Sequence, residues 1–397
     1  YGKEPDGDFR GWSAMKKLML VSDESILGGC ARSGVAEVVD SLGNALTEDY
    51  AVSVVCPDGN GVWAQMAANL RQFSDGVRTC RLFGVDYYLL RHWPDGLVTV
   101  AEAVTPDVLH NFAAPELLTA LPKRPLRCVY TIDQADFTRG HEDALGNYDA
   151  VTTVSKAYAK ELLEGDDKLA QTLDNINFRG ITNGILAPVF APEKGLMIPA
   201  KYSAEDFAGK AICKERLCRT YGIPADKCIY LMMCRLVRDK GVDDVLEAVH
   251  TIRDSGGFLL LVGKGEKQYE AQLAKLTRDD GVLWVNRWPS AVQAVPLMAG
   301  ADYYLSPSIT EPCGLMPMTA CRYGCIPITT LNGGLADNMD EEIAVLVRDS
   351  VVRAVSEAAA LYANPDALVA KRAACMHKDF SWATRKAGYL EVYRGAV

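Results

Sequence analysis

Tyr303-Tyr304-Leu305 runs into Ser306-Pro307-Ser308-Ile309-Thr310-Glu311-Pro312-Cys313-Gly314-Leu315-Met316 and then into Pro317–Tyr323. The first three residues read as a short buried strand, the next stretch as a polar turn, and the last as a helix. A strand that turns directly into a helix brings free backbone N–H groups to the positive end of a helix dipole, which suits an anion, and phosphate is the natural candidate. Glu311 in the turn cannot hold phosphate and is better matched to hydroxyl groups, as on a sugar. On spacing alone the stretch is equally well a plain helix N-terminus with a glutamate favouring the dipole.

The same unit recurs on both sides. Short apolar runs at Lys17–Val21, Ala51–Cys56, Asp107–Leu109, Arg127–Ile132 and Ala150–Val154 form one series. Ile229–Met233, Gly257–Val262, Val282–Val285, Tyr303–Leu305, Ile326–Thr329 and Ala344–Val347 form a second. Amphipathic stretches at Ala36–Leu46, Lys156–Leu163, Val242–Ile252, Tyr269–Arg278 and Pro317–Tyr323 read as the intervening helices. Strands alternating with helices are the signature of βαβ units and a largely parallel sheet, so the two series predict an α/β protein of two doubly wound, Rossmann-like domains. In such sheets ligands collect at the carboxyl ends of strands, and two domains facing each other would hold one in the cleft between them.

The boundaries follow. Residues 1–14 are polar and Gly-rich, without an initiating Met, and read as a tag or linker. Residues 15–186 form the first domain. Residues 187–207, rich in proline and poorly alternating, are the expected linker. Residues 208–378 form the second domain, and residues 379–397 a C-terminal helix expected to pack back on the first.

At 397 residues, with 49% apolar and 23% charged side chains, the chain has the composition of a folded protein with room for two domains. Its net charge of −9 is the reverse of what holds nucleic acid by its phosphates, so nucleic acid is not an expected partner. An anionic ligand must therefore be met by a few local cations and backbone N–H groups. No apolar stretch reaches the roughly 18 to 20 residues that span a bilayer. Twelve cysteines include no C-x-x-C pair and sit mostly in apolar runs, which fits buried thiols in a reducing cytoplasm. The five histidines are not paired at ligand spacing, so no metal site is expected.

Two further turns follow strands in the second series. Cys234-Arg235-Leu-Val-Arg238-Asp-Lys240-Gly241 offers a guanidinium and an ammonium that could converge on a diphosphate, or simply a solvated basic turn. Leu331-Asn332-Gly333-Gly334-Leu335-Ala336-Asp337 offers two glycines that permit close backbone approach, or only a turn.

Taken together, Arg-Leu-x-x-x-Lys-Gly, Pro-Ser-x-x-Glu-Pro-Cys-Gly-Leu, Arg322-Tyr323-Gly324-x-Ile326-Pro327-Ile328 and Gly-Gly-Leu-Ala-Asp resemble the bacterial glycogen synthases and plant starch synthases. Asp379-Phe-Ser-Trp382 before a last amphipathic helix also looks like the ending of that family. The resemblance is dense from about Cys228 to Tyr393. It implies a GT-B fold and a retaining transfer of glucose from ADP- or UDP-glucose to an α-1,4-glucan, with no cofactor and no metal. By carry-over, Arg235 and Lys240 would hold the donor diphosphate. Glu311, Cys313 and Gly314 would line the glucose, and Leu315 and Met316 would give backbone N–H groups to phosphate. Asn332, Gly333 and Gly334 would flank the leaving phosphate.

The first half departs from the family pattern. Where the family has Lys-x-Gly-Gly-Leu, the register here gives Ala31-Arg32-Ser33-Gly34-Val35, so Arg32 would stand in for the lysine beside Ser33 and Gly34 at the donor. The histidine-rich sequence after Asp107–Leu109 is reduced to His110-Asn111-Phe112, leaving His110 as a sugar or acceptor contact or as a strand-end residue capping backbone. A family histidine beside the sugar falls at Asp133, which is read as a hydroxyl acceptor with the catalytic set. Asn183 matches an asparagine near the sugar 6-hydroxyl. These departures keep two other readings open: a related glycosyltransferase with a smaller acceptor, and a sugar-nucleotide- or glucan-binding homologue without catalysis.

Overall fold

A computed structural model describes residues 15–26, 34–59, 69–186, 190–277, 281–289 and 291–395. Two compact units emerge. The described residues up to Gly184, together with those from Trp382 onward, form the first, and Ile185–Ser381 forms the second.

The first unit is built on β1 (Lys17–Val21), β2 (Ala51–Pro57), β3 (Arg71–Ser74), β4 (Val77–Leu82), β5 (Val85–Leu90), β6 (Val108–Asn111), β7 (Arg127–Ile132), β8 (Ala150–Thr153) and β9 (Phe178–Gly180). Their order in the sheet is β3-β4-β5-β2-β1-β6-β7-β8-β9. The strands from β5 to β9 run parallel, while β3 and β4 extend the β5 edge as an antiparallel meander. The first unit is thus the largely parallel sheet expected, extended by an antiparallel edge that the strand series did not include. The meander is made by the turns at Asp75-Gly76 and Phe83-Gly84, both glycines having positive φ.

The second unit carries β10 (Cys228–Met233), β11 (Gly257–Val262), β12 (Val282–Val285), β13 (Tyr303–Ser306), β14 (Ile326–Thr329) and β15 (Val345–Leu346), in the order β12-β11-β10-β13-β14-β15 and all parallel. Every residue of β10 and β11 is buried, as a sheet covered by helices on both faces requires.

Two boundaries differ from expectation. The segment 187–207 is not a free linker, because its described part packs into the second unit. Phe190, Ala191 and Tyr202 are buried, the Tyr202 hydroxyl donates to the Tyr323 carbonyl at 3.0 Å, and Arg322 reaches both the Phe190 carbonyl and Glu193. Its prolines and poor alternation describe irregular backbone, which need not be exposed. The final segment joins the first unit from Trp382 rather than 379. Its indole donates to the Ser41 hydroxyl at 2.7 Å, Lys386 pairs with Asp49 at 2.8 Å, and Tyr389, Val392 and Tyr393 are buried in that unit's core. No helix among the described residues is long and apolar enough to cross a membrane.

Candidate active site

Because β11, β10, β13 and β14 are adjacent and parallel, the loops that follow them lie along one edge of the second sheet. The loop after β10 turns through Arg238–Lys240 to Gly241, whose φ is +69°. A Cβ there would stand 2.1 Å from the Pro307 carbonyl oxygen, so only glycine lets this loop lie against the one that follows β13. The Ile309 N–H donates to the Asp239 carbonyl at 2.8 Å and fixes the contact.

That contact brings Lys240 and Glu311 together. The ammonium meets Oε2 at 2.8 Å, both side chains being about one-fifth exposed, and the Ser308 hydroxyl stands 3.4 Å from the same oxygen. Arg235, on the same loop, is exposed and has no ion-pair partner among the described residues. The pair holds the glutamate in one orientation, while Arg235 keeps its charge available for a ligand.

The glycines after β14 lock the third loop onto the second. A Cβ at Gly334 would fall 2.4 Å from the Pro312 oxygen and 2.5 Å from the Cys313 Cα. The Gly334 N–H donates to the Glu311 carbonyl at 2.9 Å, and the Asn332 amide donates to the Ser308 carbonyl at 3.0 Å. Gly314, with φ +86°, caps the helix Leu315–Arg322. The first N–H groups of that helix, on Leu315 and Met316, have no acceptor among the described residues, and the next position is Pro317, which has no N–H to offer. Cys313 is 6% exposed, so its contribution to a site would be chiefly its backbone.

Several residues that build this edge carry no obvious signal in the sequence. Asn338 is buried and donates from Nδ2 to both the Cys313 and Gly334 carbonyls at 2.8 Å, which couples the second and third loops. Gly263 and Gly265, after β11, pack so closely on the β10 loop that a Cβ would meet the Cys234 or Leu236 oxygen at 2.1 or 2.2 Å. Gly263-Lys264-Gly265 directly after a strand is the signal that could have found them.

In the first unit, Asp133 directly follows β7 and is half-buried, and Gly34 opens the helix Gly34–Ala45. Arg32 and Ser33 lie outside the described residues, as do residues 1–14. His110 is not a sugar contact. It is 0% exposed, its Nδ1 is 2.7 Å from the Tyr393 hydroxyl and its Nε2 is 2.6 Å from the Thr131 hydroxyl, so both ring nitrogens are engaged inside the unit. Burial lowers its pKa to about 3, and the imidazole is neutral. Asn183 is likewise 0% exposed, which leaves no surface for a sugar to touch. It accepts from the Tyr389 hydroxyl at 3.0 Å, while its Nδ2 stays buried without a partner. Among the described residues, no group of three or more His, Cys, Asp or Glu is placed to hold a metal ion.

Residues 214–371, which contain all three loops, match the family model described as "Glycosyl transferases group 1". The catalytic domain of starch synthase IV from Arabidopsis thaliana, solved with ADP and acarbose, superposes with a TM-score of 0.83 at 20% identity, covering 96% of this chain and 99% of that one. The two doubly wound units and this likeness define the fold as GT-B. In sequence, the glycogen synthase of Thermodesulfovibrio yellowstonii is 32% identical over 275 residues, 64% of this chain and 53% of the relative. The glycogen synthase of Thioalkalivibrio sulfidiphilus is 34% identical over 277 residues, 64% and 57% respectively. The chain is similar in sequence to glycogen synthases, and it spans about half the length of the curated relatives it matches.

Proposed function

We propose that this chain is a retaining glycosyltransferase that moves glucose from ADP- or UDP-glucose to the 4-hydroxyl of an α-1,4-glucan. The observation that carries the reading is the clasp of Lys240 on Glu311, set beside an unpaired Arg235 and the free N–H groups of Leu315 and Met316. A guanidinium, an ammonium and a helix N-terminus along one sheet edge support a diphosphate as the ligand, and the neighbouring carboxylate supports recognition of sugar hydroxyls.

In this reading the acceptor oxygen bonds to the anomeric carbon on the face from which the nucleoside diphosphate departs. The bond from that carbon to the phosphate oxygen breaks, and the acceptor's proton passes to the leaving phosphate. Arg235 and Lys240 meet the charge that develops on the diphosphate, so the protein itself supplies the neutralisation and no cofactor is called for. Glu311, held by Lys240, orients the glucose, and Asp133 accepts from a hydroxyl. The eleven described cysteines are buried and none is in a disulfide, which supports a reducing cytoplasm as the compartment.

The test is nucleoside diphosphate release from ADP- and UDP-glucose with glycogen, maltose or no acceptor. Lys240→Ala should slow turnover by about 3 kcal/mol of barrier, on the order of a hundredfold. Unchanged turnover in that variant would overturn the assignment. The enclosure of His110 favours a second reading, transfer to a smaller acceptor, because the first unit then presents fewer groups to a long glucan. Elongation of maltooligosaccharides separates the two.

A further inference from the structure

The second unit contains a cavity of about 360 Å³ away from the three loops described above. It is lined by the helix Ala208–Tyr221, the turn Gly300–Asp302 and the helices Val351–Tyr362 and Pro365–His377. Asp302 immediately precedes β13, and its carboxylate accepts the N–H of Ile229 in β10 at 2.9 Å. The cavity therefore lies at the amino-terminal edge of the strands, whereas Arg235, Lys240 and Glu311 follow their carboxyl ends.

Its charge is out of keeping with a chain of net −9. Lys210, Lys214 and Arg372 line it, opposed by Asp302 alone. Three positive side chains less one negative leave a surplus of two. Asp302 is shared between the Lys214 ammonium at 2.6 Å and an Arg372 Nη at 2.5 Å. The Lys210 ammonium, 4% exposed, rests on the carbonyls of Tyr323, Ala301 and Ala299 at 2.8, 3.0 and 3.1 Å, which orient it but carry no net charge. Arg372 also keeps its Nε buried without an acceptor. Phe207, Pro365 and Leu368 add apolar wall, which reduces the screening of that surplus, and Lys214 also donates to the Tyr362 hydroxyl at 2.7 Å.

We propose that this cavity binds a small phosphate-bearing anion, inorganic phosphate or a phosphate monoester, against Arg372 and Lys214. A dianionic phosphate matches the surplus of two, and its oxygens suit a guanidinium with a donor to spare. The volume falls at the small end of the range for small-molecule sites, large enough for a phosphorylated metabolite.

The experiment is calorimetric titration of the full chain with inorganic phosphate at matched ionic strength, repeated with methyl phosphate and with acetate. It is run on the unaltered protein and on Lys240→Ala, which weakens any binding at the opposite edge. Both should take up phosphate and methyl phosphate equally, and acetate should bind neither. Arg372→Met should raise the dissociation constant at least about tenfold, the loss of one charge-assisted contact. Since Arg372 also holds Asp302, Ala211→Glu serves as the second variant. Ala211 lines the cavity yet is exposed, so a carboxylate there repels the anion without touching the core, and the same loss is expected. Phosphate binding that survives Ala211→Glu undiminished, disappears in Lys240→Ala alone, or is absent from the unaltered protein would overturn the proposal.

Discussion

His110 is a neutral imidazole wired between two hydroxyls, and Thr131 passes the chain on to the Thr152 hydroxyl at 2.6 Å. One ring nitrogen donates and the other accepts, so a proton added to the ring would have to displace one of these bonds inside the core. Its folded pKa of about 3 lies below the ordinary 6.5, so the unfolded chain binds the extra proton first as the pH falls. The stability contributed by the neutral ring is present above about pH 6.5 and declines from there toward pH 3, by about 1.4 kcal/mol per pH unit at most. Urea midpoints measured from pH 7 to pH 4.5 should fall with this slope. His110→Gln should fall less steeply, since an amide keeps a donor and an acceptor but does not titrate. An equal slope in the two proteins would assign the acid sensitivity to other groups.

The three loops at the carboxyl edge behave as one element because backbone touches backbone at Gly241 and Gly334. Gly241→Ala adds a Cβ 2.1 Å from a carbonyl oxygen and also places a side chain at φ +69°. It should cost at least about 1 to 3 kcal/mol in denaturation. Its effect on activity should appear mainly as a raised KM for the donor, with the second unit still folded by circular dichroism. The long apolar runs that become β10 and β11 were legible because continuous burial leaves little else for them to be. The meander β3–β5 was not, although Ser74-Asp75-Gly76-Val77 is a hairpin signal, because Arg71–Ser74 is polar and largely exposed and breaks the expected βαβ rhythm. The loops around Glu311 were legible through turn chemistry and motif spacing together. His110 was misread because the partner that decides its role, Tyr393, stands 283 residues away, beyond the reach of any local pattern.

The chain crosses from the first unit to the second and returns at Trp382. Removing residues from Trp382 onward takes away the indole bond to Ser41, the Lys386–Asp49 pair and the tyrosine that satisfies His110. Such a truncation should leave residues 185–381 resistant to limited proteolysis while the first unit becomes readily cut, and equal resistance of both would show that the return segment is dispensable. The same connectivity sets a timetable for biosynthesis. The second unit is continuous in sequence and can complete its core as soon as Ser381 is clear of the ribosome, whereas the first must wait for it. At about 5 to 20 residues per second, that leaves the amino-terminal half unfinished for roughly 10 to 40 s on the translating ribosome. The residues up to Gly184 are therefore synthesised before the second unit yet complete their own core after it, with apolar surface left open in the interval.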